Sequence, residues 1–103
     1  MANEPLLFRA VDVPFLSALD EAQFFRWAKG IDGVAKVFGE GRAIVLVMRS
    51  RSLSDEGLRE LTALFYRYGV ELRQVARAAS RVTHPWFFKT RRYWHRRAFG
   101  RGG

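Results

Sequence analysis

"VELRQVARAA" (residues 70–79) decides the architecture, because it satisfies two periodicities at once. Val70, Leu72, Ala76 and Ala78 fall on one face of a strand, whereas Leu72, Val75, Ala76 and Ala79 fall on one face of a helix. Gly69 has just ended a helix, and the hairpin further upstream builds a sheet whose edge needs a partner. The segment is therefore expected to be a strand.

The helix it follows is "SLSDEGLRELTALFYRYG" (52–69). Ser54 is its N-cap, Asp55 and Glu56 sit at the positive end of its dipole, and Leu53 with Leu58 forms a hydrophobic staple. Leu61, Leu64, Phe65 and Tyr68 make its buried stripe. Before it, "VAKVFGEGRAIVLVMRS" (34–50) reads as a hairpin with a three-residue loop, Gly39-Glu40-Gly41. "LDEAQFFRWAKGI" (19–31) is a first helix, with Asp20 as N-cap, Gln23 completing a capping box and Leu19 stapled to Phe24. Phe24, Trp27, Ala28 and Ile31 form its apolar stripe, and Gly30 is its left-handed stop. "LLFRAV" (6–11) is a first strand, followed by a connector around Pro14.

The order βαββαβ predicts a ferredoxin-like α+β sandwich, with two helices on one face of a four-stranded antiparallel sheet and an aromatic, basic C-terminal helical segment packed on it. All 103 residues are expected to form one domain: an N-terminal strand and connector over 1–19, an α/β core over 20–80, the C-terminal segment over 81–100 and a frayed end at 101–103. "AIVLVM" (43–48) is apolar at every position, so both faces of that strand call for cover. With Ile44, Leu46 and Met48 toward the helices, Ala43, Val45 and Val47 need a second roof, supplied by the aromatic tail or by another copy of the chain.

Charge is concentrated in that tail. Residues 1–80 hold eleven Lys and Arg against ten acids, while residues 81–103 hold seven Lys and Arg and no acid. A block of this kind attracts polyanions. Its rings and cations alternate, and helix grammar divides them: Pro85 suits a first helical position, and Thr90 caps a short helix from Arg91 to about Phe99. Trp86, Phe87, Tyr93 and Trp94 are expected to form a lid or partner contact. Lys89, Arg91, Arg92, Arg96, Arg97 and Arg101 are expected to face water as a polyanion-binding surface.

The pair "LFYRYGVELRQV" and "WFFKTRRYWHRRAFG" resembles a set of short bacterial proteins of unknown function, in which a helix ending in an aromatic-Arg-Tyr run precedes a Trp-Phe pair and a Tyr-Trp-His. The likeness covers about residues 19–100 and is clearest at Tyr66 to Val75 and Trp86 to Gly100. It implies that the tail belongs to the folded unit, and it brings no activity with it.

Chemistry is sparse. Zero cysteines exclude disulfides, thiolate metal sites and a Cys nucleophile. His84 and His95 are the only histidines and have no acid near them in sequence, so no catalytic residue, metal or cofactor is assigned. Asp55, Glu56, Glu60 and Arg59 read as a salt-bridged, solvated helix face. The terminal "GRGG" is a single Arg-Gly-Gly, and although Gly-Gly also ends ubiquitin-like carriers, the extra N-terminal helix and the bulky aromatics before it argue against that fold. No apolar run reaches bilayer length and no secretory signal opens the chain, so a soluble, cytoplasmic protein with no membrane contact is expected. Two partner classes remain: nucleic acid on the arginine-rich face, or a protein, either an acidic partner or a second copy forming a homodimer. An RNA-recognition module of this topology stacks bases on aromatics in its central strands, and "GRAIVLVM" carries none.

Overall fold

A computed structural model describes residues 5–89 and 92–100. Its elements are β1 (Leu7–Val11), α1 (Ala18–Gly30), β2 (Val34–Glu40), β3 (Ala43–Met48), α2 (Asp55–Tyr68), α3 (Arg73–Ala78), a 3₁₀ turn (Pro85–Phe88) and α4 (His95–Phe99). The three strands form one antiparallel sheet in the order β1-β3-β2. Among the described residues no helix is long and apolar enough to cross a membrane.

β3 lies at the centre because it is the most apolar strand. Ile44, Leu46 and Met48 point into the core with Phe8 and Ala10 of β1 and Val34 of β2, and α1 and α2 close over them through Phe24, Ala28, Leu58, Leu61 and Phe65. α2 follows its sequence closely. Ser54 Oγ accepts the Gly57 N–H at 3.0 Å, Leu53 and Leu58 are both buried, and Gly69 turns left-handed at φ 72°. Gly57 also permits a close approach: a Cβ there would lie 2.5 Å from the Asp32 carbonyl oxygen, whose own side chain accepts the Ser54 hydroxyl at 2.6 Å. The loop after α1 is thereby fastened to the start of α2.

Several expectations are corrected. α1 begins three residues earlier than its acidic cap suggests: Ser17 Oγ accepts the Asp20 N–H, and Asp20 in turn accepts the Leu16 N–H. Leu19 is left 82% exposed and staples nothing. The positive φ after α1 belongs to Gly33, not Gly30. The hairpin turns on two residues rather than three, since Glu40 still pairs with Ala43; Gly41, with φ 62°, takes the first central position where a mirror-image turn requires glycine.

The decisive segment is helical. Residues 73–78 form α3, so the fourth strand of a ferredoxin-like sheet is missing and the βαββαβ order is not completed among the described residues. Two contacts explain the preference. Helical geometry turns both Leu72 and Val75 into the core. It also brings Gln74 to the open edge of β1, where its carboxamide accepts the Arg9 N–H and donates to the Arg9 carbonyl, each at 2.8 Å. One side chain thus takes the place of a strand's backbone.

Nor does the tail roof the outer face of the sheet. It packs on α2 and α3 instead, while Val45 is buried between Arg9 and Phe38 of the flanking strands, where Arg9 reaches Glu40 across β3 at 2.8 Å. Leu7, Val11 and Phe38 remain partly exposed on that face.

Candidate polyanion interface

The site begins with how the tail is anchored. His84 is buried, and its Nδ1 accepts the Ser80 N–H at 3.0 Å. That bond makes Nε2 the protonated nitrogen, which donates to the Leu53 carbonyl at 2.7 Å. Both ring nitrogens are occupied and inaccessible to a substrate. Trp86 then donates its indole N–H to Asp55 at the start of α2 (2.9 Å), and Trp94 donates to the Phe87 carbonyl (3.0 Å). Trp86, Phe87 and Trp94 are buried, with the Trp94 and Phe87 rings stacked at 5.6 Å. Tyr93 departs from the lid expectation: it is 54% exposed and stands edge-on to Tyr66 of α2 at 4.8 Å. Burial of the phenol raises the Tyr93 pKa, aided by neighbouring Tyr66 and Glu60.

Over these rings lie guanidinium groups. Arg59 sits 4.0 Å from the Trp86 ring, Arg97 sits 4.2 Å from Tyr66, and Arg92 sits 5.8 Å from Trp94. Ring quadrupoles attract cations without cancelling their charge. The described residues contain two ion pairs, Arg9–Glu40 and Arg42–Asp12, both at the sheet. Two of the three α2 carboxylates that read as salt-bridge partners serve instead as acceptors for indoles: Asp55 for Trp86, and Glu60 for Trp27 at 2.9 Å. Arg59 stacks on Trp86 and forms no ion pair among the described residues.

Three depressions adjoin one another across the helical layer through shared lining residues, with Arg59 and Arg92 among those residues and Arg97 beside them. The middle one, about 480 Å³, is bounded by Trp27, Ala63, Tyr66, Arg67 and Tyr93. Trp27 and Arg67 carry it toward Tyr68 and the start of α1, and Tyr93 carries it toward Arg59, Arg92 and Trp94. Tyr68, at the far end, donates to Asp20 at 3.0 Å, and burial followed by that hydrogen bond raises its pKa.

Of the residues expected to bind polyanions, Arg92 lines these depressions and Arg97 flanks them. Lys89 and Arg96 are exposed but not among the residues lining them, and Arg91 and Arg101, like the Thr90 cap, lie outside the described residues. Arg59, Arg67 and Trp27 were missed, although Arg59, Ala63, Tyr66 and Arg67 share a helix face at i, i+4, i+7 and i+8, opposite the core stripe. His95 is half-buried against Phe99, and among the described residues no three His, Asp or Glu side chains converge as a metal site. The chain matches no protein-family model, no curated protein and no solved structure, so the site is read from its own residues.

Proposed function

We propose that this chain is a non-enzymatic binding module for single-stranded nucleic acid, held along the groove between Trp27 and Trp94. The observation that carries the reading is the set of arginines (Arg59, Arg92, Arg97) fixed over aromatic rings with no carboxylate partner among the described residues. Cations placed this way supply phosphate contacts at little further cost in side-chain ordering. The half-exposed Tyr93 offers a base a stacking surface. The helical face is favoured over the sheet face, whose central strand presents only Ala43, Val45 and Val47 outward. A single strand suits a groove that mixes rings with cations, because its unstacked bases are free to meet the rings.

Fluorescence anisotropy with a labelled single-stranded oligonucleotide tests this. Binding at low salt is expected, with a loss of about tenfold or more in the Arg59→Glu/Arg92→Glu protein and a smaller loss in Tyr93→Ala. Absence of binding at low salt, or binding indifferent to the double charge reversal, would refute it.

A further inference from the structure

The two edges of the sheet are treated differently. Met48 N–H donates to the Leu6 carbonyl and Asp12 N–H to the Arg42 carbonyl, which sets the phase of the β1–β3 ladder and leaves Arg9 facing outward, where Gln74 closes the edge. The same phase directs Val45 toward β2, so Phe38 and Glu40 bond inward to β3. Val37 and Gly39 therefore aim their N–H and C=O groups away from the sheet. Lys36, Phe38, Gly39 and Glu40 are all exposed, and a Cβ added at Gly39 would meet nothing within 4 Å.

The sequence of this edge is self-complementary. Residues 36–40 read Lys-Val-Phe-Gly-Glu. Laid antiparallel against itself about Phe38, the strand sets Lys36 opposite the partner's Glu40, Phe38 opposite the partner's Phe38, and Val37 opposite the partner's Gly39. Lys36, Phe38 and Glu40 all lie on the outer face, so each lysine meets a carboxylate across the axis, one that Arg9 of its own protomer also holds, while two phenyl rings meet between them. Val37 and Gly39 are in the positions that exchange backbone bonds, two on each side of the axis. On the inner face, valine opposite glycine avoids crowding. An irregularity between Val34 and Lys36 ends the regular ladder where the complementarity ends.

We infer that β2 pairs with β2 of a second copy of this chain, forming a homodimer with a continuous six-stranded antiparallel sheet. Lysines and bulges commonly guard an open edge against association; here the lysine stands where an antiparallel copy places a carboxylate. The two-fold axis runs perpendicular to the sheet, so both helical layers lie on the same side. The inference stands independently of what those layers bind.

Sedimentation velocity over a concentration series up to about 1 mM tests it, a range that detects even millimolar self-association. The wild-type protein is expected to pass from monomer to dimer. Gly39→Pro removes an outward N–H that no intramolecular bond uses, and should leave circular dichroism and melting unchanged while abolishing the dimer. Lys36→Glu should weaken dimerisation about tenfold by opposing like charges, and Arg9→Glu/Lys36→Glu/Glu40→Lys, which also keeps the Arg9–Glu40 ion pair with its signs exchanged, should restore it. A monomer throughout the series overturns the inference, as does a dimer unaffected by Gly39→Pro. If Gly39→Pro does not fold, the charge pair decides, and a triple variant no better than Lys36→Glu alone also overturns it.

Discussion

Replacing Trp94 with alanine measures whether the tail is structural. Trp94 is 5% exposed, stacks on Phe87 at 5.6 Å, meets Trp86 edge-on at 5.9 Å, and holds the Phe87 carbonyl at 3.0 Å. Truncating a buried aromatic costs about 3–5 kcal/mol, and the orphaned carbonyl accounts for about 1 kcal/mol of such a loss. The total stability of a domain is about 5–15 kcal/mol, so the variant should lose a large fraction of it. In thermal terms that is a fall of roughly 15–30 °C. Guanidinium denaturation followed by far-UV circular dichroism is the assay, because it does not depend on the deleted fluorophore. Tyr93→Ala, at a half-exposed ring, is the matched control and should cost about 1 kcal/mol or less. A Trp94→Ala midpoint equal to wild type, or to Tyr93→Ala, would refute the packing described for the tail.

Three further outcomes are expected. Gly57→Ala places a Cβ against the Asp32 carbonyl oxygen and should destabilise the fold by about 1–3 kcal/mol despite alanine's better helix propensity; a neutral or stabilising effect in denaturant melts would contradict that contact. Gln74→Ala should cost about 1–2 kcal/mol and speed amide exchange at Arg9, whereas unchanged exchange would mean that α3 does not close the β1 edge. Tyr68 and Tyr93 have raised pKa values, so the neutral phenols stabilise the folded state fully below the ordinary tyrosine value of about 10, and this contribution fades as pH climbs through the raised values. Tyrosinate absorbance should accordingly develop later in the folded protein than in denaturant, and coincident titrations would be the contrary result.

The parts of the fold legible in the sequence are those fixed by neighbours along the chain. α2 could be read because its cap, staple, stripe and glycine stop lie within one segment, from Leu53 to Gly69. β3 could be read as a strand, since every position is apolar, but for the same reason its composition left open which face, Ile44, Leu46 and Met48 or the alternate set, turns to the core. At the start of α1 the cap is Ser17, three residues ahead of the expected Asp20, which instead accepts the Leu16 N–H and the hydroxyl of Tyr68, 48 positions away. Residues 70–79 could not be resolved locally, because what favours the helix is Gln74 meeting Arg9 across 65 positions.

The groove posed the same difficulty. Trp27, Arg59, Arg67 and Tyr93 come from three separate segments, so the density of arginine near the C-terminus could indicate only the tail's share of the groove and not the part contributed by α1 and α2. The division of the tail into inward rings and outward guanidiniums was legible in outline. Which ring stays outside was not: Tyr93 faces Tyr66 rather than the interior.

The salt dependence of single-strand binding tests the central claim most directly. If Arg59, Arg67, Arg92 and Arg97 each meet a phosphate, log K should fall with log salt at a slope of about −3, a loss of about 50-fold between about 50 and 200 mM salt. The Arg59→Ala/Arg92→Ala protein should retain a slope of about −1.4. Equal slopes for the two proteins, or a wild-type affinity that ignores salt, would contradict the account.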